Sequence, residues 1–142
     1  MRNALLTVLV AVLMQFPVQP LNAANLIADI SLSSQTMVVR QYGIVMYRWK
    51  VSTARKGYVT PRGSWKAKWL SRYHRSSKYD DAPMPYAVFF KGGYAVHATY
   101  DIKRLGRPAS HGCVRLHPNN AAEFFALTRQ HGLANTRIVI TR

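Results

Sequence analysis

The chain has a single cysteine in 142 residues, and only five acidic side chains stand against twenty lysines and arginines, a formal charge of +15. One cysteine excludes an internal disulfide. A chain of this length does not need one, since it can bury roughly two-thirds of its unfolded surface in one core. The shortage of carboxylates leaves a cationic field that attracts polyanions, whether nucleic acid, anionic lipid or an acidic wall polymer. The basic residues are scattered and form no tract, which argues against a nucleic-acid arm. Paired cysteines and a His-Glu-x-x-His helix motif are both missing, which weighs against structural zinc and zinc-peptidase chemistry. Internal repeats and low-complexity stretches are also lacking, and the length allows one domain.

Long apolar runs are equally scarce. The one present, Ala4 to Phe16, follows Arg2, is broken by Pro17 and Pro20, and leads to Leu21-Asn22-Ala23-Ala24. This is the three-part layout of a secretory signal peptide over residues 1–24, cut after Ala23 or Ala24. An uncleaved N-terminal anchor is the alternative. The run is short of the about 20 residues that span a bilayer, so no stable membrane span is expected after cleavage. No cysteine lies near the cut, which excludes lipid attachment there. The expectation is a periplasmic or cell-envelope protein whose mature domain covers residues 25–142.

Within that domain, Ile27 to Val39 reads as a strand, Gln41-Tyr42-Gly43 as a turn and Ile44 to Val51 as a second strand. Thr60-Pro61-Arg62-Gly63 has the composition of a tight turn, and Ser64 to Leu70 reads as a short strand. The polar stretch Ser71 to Pro85 reads as a loop or lid, with Trp69, Tyr73, Tyr79 and Tyr86 available to cover a cleft. Tyr86–Phe90 and Gly93–His97 read as strands joined at Lys91-Gly92. Asn120 with Glu123 fits a capping box, Phe124, Leu127 and Thr128 share a helix face, and Gly132 suits the stop. Ile138 to Ile140 closes the chain as a strand. Many short strands with one good helix make a mainly β domain.

The chemistry gathers at Ala109-Ser110-His111-Gly112-Cys113-Val114-Arg115-Leu116. If extended, this stretch turns His111, Cys113 and Arg115 to one face and Gly112, Val114 and Leu116 to the other. Gly112 leaves the backbone beside the thiol open to a substrate carbonyl. A free thiol is only a few per cent ionised at neutral pH, so a nucleophilic cysteine needs an imidazole to take its proton. His111 flanks the thiol and His97 arrives from another strand; the residues alone leave open which is the base. His74 and His131 read as solvated. Three alternatives compete: an inert buried cysteine, a metal site of His97, His111, Cys113 and His117, and a basic nucleic-acid module stacking bases on its aromatics. Missing cysteine partners weaken the second, and export weakens the third.

Ser110-His111-Gly112-Cys113-Val114-Arg115-Leu116, preceded by His97, resembles the signature of the L,D-transpeptidase catalytic domain (YkuD-like). Val51-Ser52-Thr53 with Thr60-Pro61-Arg62-Gly63 resembles its strand-and-turn element, and the final helix and strand match its ending. The resemblance implies a β-sandwich-like fold of mixed sheets with one or two short helices. It implies Cys113 as the nucleophile on a peptidoglycan stem tetrapeptide and His97 as the base, its ring held by the Ala98 carbonyl. His111, Gly112 and the Cys113 amide would serve the oxyanion, while Arg115 and Ser110 would bind substrate or brace the motif. The acceptor would be a stem-peptide amine, a wall-attached protein or water, with no cofactor, no metal and no nucleic-acid partner. This chain departs from the family in carrying Ala98 and Ala54 where glycine is usual, and in a short spacer from His97 to Ser110. A Cβ near the cleft and a strained turn at Ala54 are the expected consequences.

Overall fold

The computed structural model describes residues 24–142, so the expected signal peptide lies outside the described residues apart from Ala24. The strands are β1 (Leu26–Ser31), β2 (Thr36–Gln41), β3 (Ile44–Ser52), β4 (Gly63–Lys66), β5 (Trp69–Arg75), β6 (Pro83–Lys91), β7 (Tyr94–Ala98) and β8 (Val114–Leu116). Helix α1 (Pro118–His131) and strand β9 (Thr136–Thr141) complete the domain, with short 3-10 turns at Ile102–Arg104 and Leu133–Asn135. All nine strands join one mixed sheet in the order β4-β9-β1-β2-β3-β8-β7-β6-β5. Among the described residues, no helix is long and apolar enough to cross a membrane.

The sheet curls because consecutive strands sit at its opposite edges. Only Ala67 and Lys68 separate β4 from β5, so the two edges must meet. The Ala67 N–H donates to the Thr136 carbonyl at 2.9 Å and the Lys68 N–H to the Phe89 carbonyl at 2.8 Å, tying that corner to both halves. The enclosed space is filled by alternate residues of each strand: Leu26, Ala28 and Ile30 from β1, Met37 and Val39 from β2, Ile138 and Ile140 from β9. Helix α1 covers the opening with Ala121, Phe124, Phe125 and Leu127. The mainly β, sandwich-like fold is therefore as expected.

Three local expectations need correction. Ile27 to Val39 is a hairpin, not one strand: the chain reverses between Ser31 and Thr36, with Gln35 at φ 51°. No glycine or proline announces the reversal. Its stability comes instead from the buried Gln35 side chain, which takes the Thr53 N–H and donates to Leu32 O and Thr53 Oγ1. Ser71 to Pro85 is mostly strand, leaving only residues 76–82 as a connection. It looks polar because β5 is an edge strand with little core to cover. Helix α1 starts before Asn120: His117 is its cap, its Nδ1 accepting the Asn119 N–H at 3.2 Å, with Pro118 in the first turn. Glu123 instead meets the Tyr47 hydroxyl at 3.3 Å.

Candidate active site

Strands β7 and β8 run parallel, pairing Val96 with Val114, His97 with Arg115 and Ala98 with Leu116. Alternation then separates two faces. Val96, Ala98, Val114 and Leu116 enter the core, while His97, Cys113 and Arg115 line a cleft of about 690 Å³. The Ala98 methyl is thus buried in the core and does not reach the cleft, contrary to expectation.

The stretch before Val114 is not a strand. Residues 111–113 bend, and Gly112 adopts φ 140°. A Cβ there would lie 2.7 Å from Tyr94 Cε1 and 2.9 Å from the Val59 carbonyl oxygen, so glycine is required for both conformation and space. The turn is held by Ser110, whose Oγ donates to the Cys113 carbonyl at 2.6 Å and accepts the Gly112 N–H at 3.0 Å. Ser110 is buried, and these two bonds make it a brace of the turn at the edge of the cleft. The Gly112 amide is engaged by the same hydroxyl.

The end of β3 anchors this turn from behind. The Thr53 carbonyl accepts the N–H groups of Ala109 and Ser110, each at 2.9 Å. Thr60 Oγ1 accepts the Ala54 N–H at 2.9 Å and donates to the Gly112 carbonyl at 2.8 Å. Ala54 is absent from the positive-φ residues, so the strained turn expected there does not occur; Gly57 makes the left-handed step at φ 90°. The short spacer is also secured to β3, through Ser52 Oγ to the Arg104 carbonyl at 2.8 Å and the Gly106 N–H to the Val51 carbonyl at 2.9 Å.

His97 is buried, and its Nδ1 lies 2.7 Å from the Ala98 carbonyl oxygen. A carbonyl can only accept, so Nδ1 carries the proton and Nε2 of the neutral ring keeps its lone pair. Burial lowers the His97 pKa to about 4, against the raising effect of that hydrogen bond; Arg115 and His74 lower it further. The half-buried Cys113 thiol is pushed up by burial, which outweighs the Ala95 N–H at 3.4 Å from Sγ and the Arg115 charge. Burial therefore favours the neutral imidazole and the protonated thiol, whose Sγ is directed to the Gly93 carbonyl at 3.7 Å.

His111 lies against Tyr79 with ring centroids 4.1 Å apart and meets Tyr58 edge-on. Partial burial, then the charges of Arg55 and Arg115, hold its pKa below the usual imidazole range. Tyr79 and Trp69 do line the cleft, whereas Tyr73 is exposed to solvent and Tyr86 packs edge-on to Phe125 of α1. Arg115 lines the cleft and directs Nη1 to the Ala109 carbonyl at 3.4 Å. Sequence reasoning missed His74. It sits on β5 opposite Met84, packs edge-on to Phe89 and Trp69, and lines the cleft. Only the pairing of β5 with β6 could have revealed it. Among the described residues, no three His, Cys, Asp or Glu side chains converge as metal ligands; His117 is spent on the helix cap.

A curled mixed sheet carries an imidazole on β7 and a thiol in the turn that opens β8, and both line one cleft. The chain belongs to the YkuD family, the L,D-transpeptidase catalytic domain, whose family model matches residues 25–140. It is similar to an L,D-transpeptidase solved in complex with imipenem, at 27% identity and a TM-score of 0.74, covering 82% of this chain and 59% of that one. An L,D-transpeptidase from Stackebrandtia nassauensis gives 26% identity and a TM-score of 0.72, covering 83% of this chain and 56% of that one. One from Mycobacterium tuberculosis shares the fold at 21% identity and a TM-score of 0.75, covering 83% and 58%. The chain thus spans less than two-thirds of the length of these relatives. No curated protein sequence matches it at a significant level.

Proposed function

We propose that this protein is an exported cysteine acyltransferase of peptidoglycan, an L,D-transpeptidase that uses Cys113 as nucleophile and His97 as base. The observation that carries the reading is the shared cleft: His97 on β7 and Cys113 in the turn that opens β8 both line it, while the Ala98 carbonyl holds the Nδ1 proton. Nε2 is then the atom that takes the thiol proton as Sγ bonds to the stem-tetrapeptide carbonyl carbon. Negative charge forms on the carbonyl oxygen, where the main-chain N–H of Cys113 is a candidate donor and the His111 ring forms the wall. Collapse breaks the C–N bond to the terminal D-alanine, which leaves as an amine with the proton from His97. An acceptor amine then attacks the thioester, gives its proton to Nε2, and the sulfur departs and recovers it.

Arg115 supplies charge for a carboxylate of the stem peptide, and Ser110 and Gly112 fix the turn that presents the thiol. Acceptor amines would come from a neighbouring stem peptide or a wall-attached protein. The apolar leader at residues 4–16 supports export, and the cationic chain suits an anionic envelope. Intact-mass measurement after incubation with imipenem tests the nucleophile. Wild type should gain one covalent adduct, Cys113→Ala none, and His97→Gln should acylate about a hundredfold more slowly. A folded wild type that gains no adduct, or an alanine variant that does, overturns the assignment. Tetrapeptide turnover with and without an amine then separates transfer from hydrolysis: a product formed only with water makes the enzyme an L,D-carboxypeptidase.

A further inference from the structure

The end of the sheet opposite the cleft carries the least expected surface of the molecule. At the β2–β3 reversal, Tyr42 and Ile44 are 69% and 67% exposed, and Val45 and Met46 beside them are 40% and 46% exposed. Four apolar side chains grouped at one hairpin tip, on a chain of charge +15, are not scattered surface residues. The register shift between Val39 and Arg40 breaks strand alternation at Met46: Val45 pairs with Arg40 and shares the face of the exposed Arg48 and Lys50, while Ile44, opposite Gln41, turns to the other face, so the tip is apolar on both sides. The apolar tip comes first and the two cations lie about 7 Å and more behind it, at roughly 3.3 Å per residue. That spacing matches a bilayer interface, in which apolar groups sink about 5–10 Å and cations remain among the headgroups.

A second observation points the same way. The Tyr42 N–H donates to the Asn25 carbonyl at 2.8 Å, so the chain enters the fold at this tip. The sequence that precedes Asn25 therefore joins the domain at its apolar end, which in the proposed export holds this tip to the membrane until the leader is removed. From Ile44, β3 runs nine residues to Ser52, next to the Thr53 carbonyl that anchors the thiol-bearing turn. The tip and the cleft are thus separated by about 25 Å along one strand.

We propose that the β2–β3 tip is a membrane-docking surface, in which Tyr42, Ile44, Val45 and Met46 enter an anionic phospholipid bilayer while Arg48 and Lys50 bind its headgroups. Docked in this way, the protein stands on the membrane with its cleft at the far end, facing away from the lipid. The proposal does not depend on the reaction assigned to Cys113.

Co-sedimentation of the full chain with vesicles tests it, using phosphatidylcholine with and without phosphatidylglycerol. Wild type should bind the anionic vesicles and lose most binding when salt rises well above about 0.1 M, where the screening length falls below about 10 Å. The Ile44→Ser/Met46→Ser variant, which keeps the leader, should bind about tenfold or more weakly, because it loses the apolar anchor but no charge. Arg48→Glu/Lys50→Glu should also bind more weakly and with a shallower salt dependence. An unchanged Tm for both variants confirms that the fold is intact. Equal binding by the serine variant and wild type would assign attachment to the leader alone and overturn the proposal. Equal binding to neutral vesicles, or a lipid-free dimer abolished by the serine variant, would overturn it as well.

Discussion

The His97 ring donates its Nδ1 proton to the carbonyl oxygen of Ala98 at 2.7 Å, a bond made to the very next residue and buried in the fold. The contact costs nothing in chain closure and needs no carboxylate, in a protein with only five acidic residues. It orients the imidazole with the basic nitrogen away from the backbone, and burial keeps the ring neutral. Base strength and orientation are therefore separate consequences of one placement.

The first prediction concerns pH. With His97 depressed to about 4 in the fold against an unfolded value near 6.5, the unfolded chain binds the extra proton first. Stability from this group is complete above pH 6.5 and falls as pH drops through the window down to about 4, losing about 3 kcal/mol in all. Urea unfolding across that range should show the loss in wild type and a smaller one in His97→Gln. Acylation by imipenem should rise through pH 4–5 and then stay level through neutrality. A rate inflection near 6.5 would mean that the ring taking the proton is not the buried one.

Gly112 provides the second. Its φ of 140° and the 2.7 Å and 2.9 Å approaches of Tyr94 and Val59 leave no room for a side chain. Gly112→Ala should destabilise the fold by about 3 kcal/mol, combining backbone strain with overpacking. Because Val59 contributes a main-chain oxygen, trimming Tyr94 should not rescue it. Thermal denaturation of the single and double variants measures both effects, and a neutral Gly112→Ala would show that the turn can adopt another conformation.

Gln35 lies outside the cleft yet supports it. Its amide bonds Thr53 at both ends, and the Thr53 carbonyl holds Ala109 and Ser110. Gln35→Leu keeps the size but leaves the buried Thr53 N–H without its acceptor, at a cost of about 2 kcal/mol. The variant should also acylate more slowly, since the thiol-bearing turn loses its backing. Loss of stability with an unaltered acylation rate at low temperature would confine Gln35 to a folding role.

Much of the strand pattern is legible in the sequence because it depends on neighbours along the chain. The Gln41–Gly43 reversal, the strand from Ile44, the β6–β7 turn (at Gly92-Gly93, one residue beyond the expected Lys91-Gly92), the helix ending at Gly132 and the closing strand all arise from alternation, periodicity and turn chemistry. The misreadings have physical causes. The reversal at Gln35 is held by a side chain bonding residues far ahead, not by a turn-forming residue. Strand β5 resembles a loop in sequence because an edge strand facing water and a cleft is polar, and for the same reason His74 reads as solvated.

By itself the sequence determined that one sulfur would stand among histidine, glycine and arginine in a basic chain, because those identities and spacings are local. Only the tertiary structure decided which imidazole shares the cleft as a buried ring, that Ser110 braces the turn, and that Ala98 faces the core. Those outcomes depend on the parallel register of β7 with β8 and on the curl that brings the sheet edges together. Both are set by contacts between residues far apart in the chain, which no local pattern encodes.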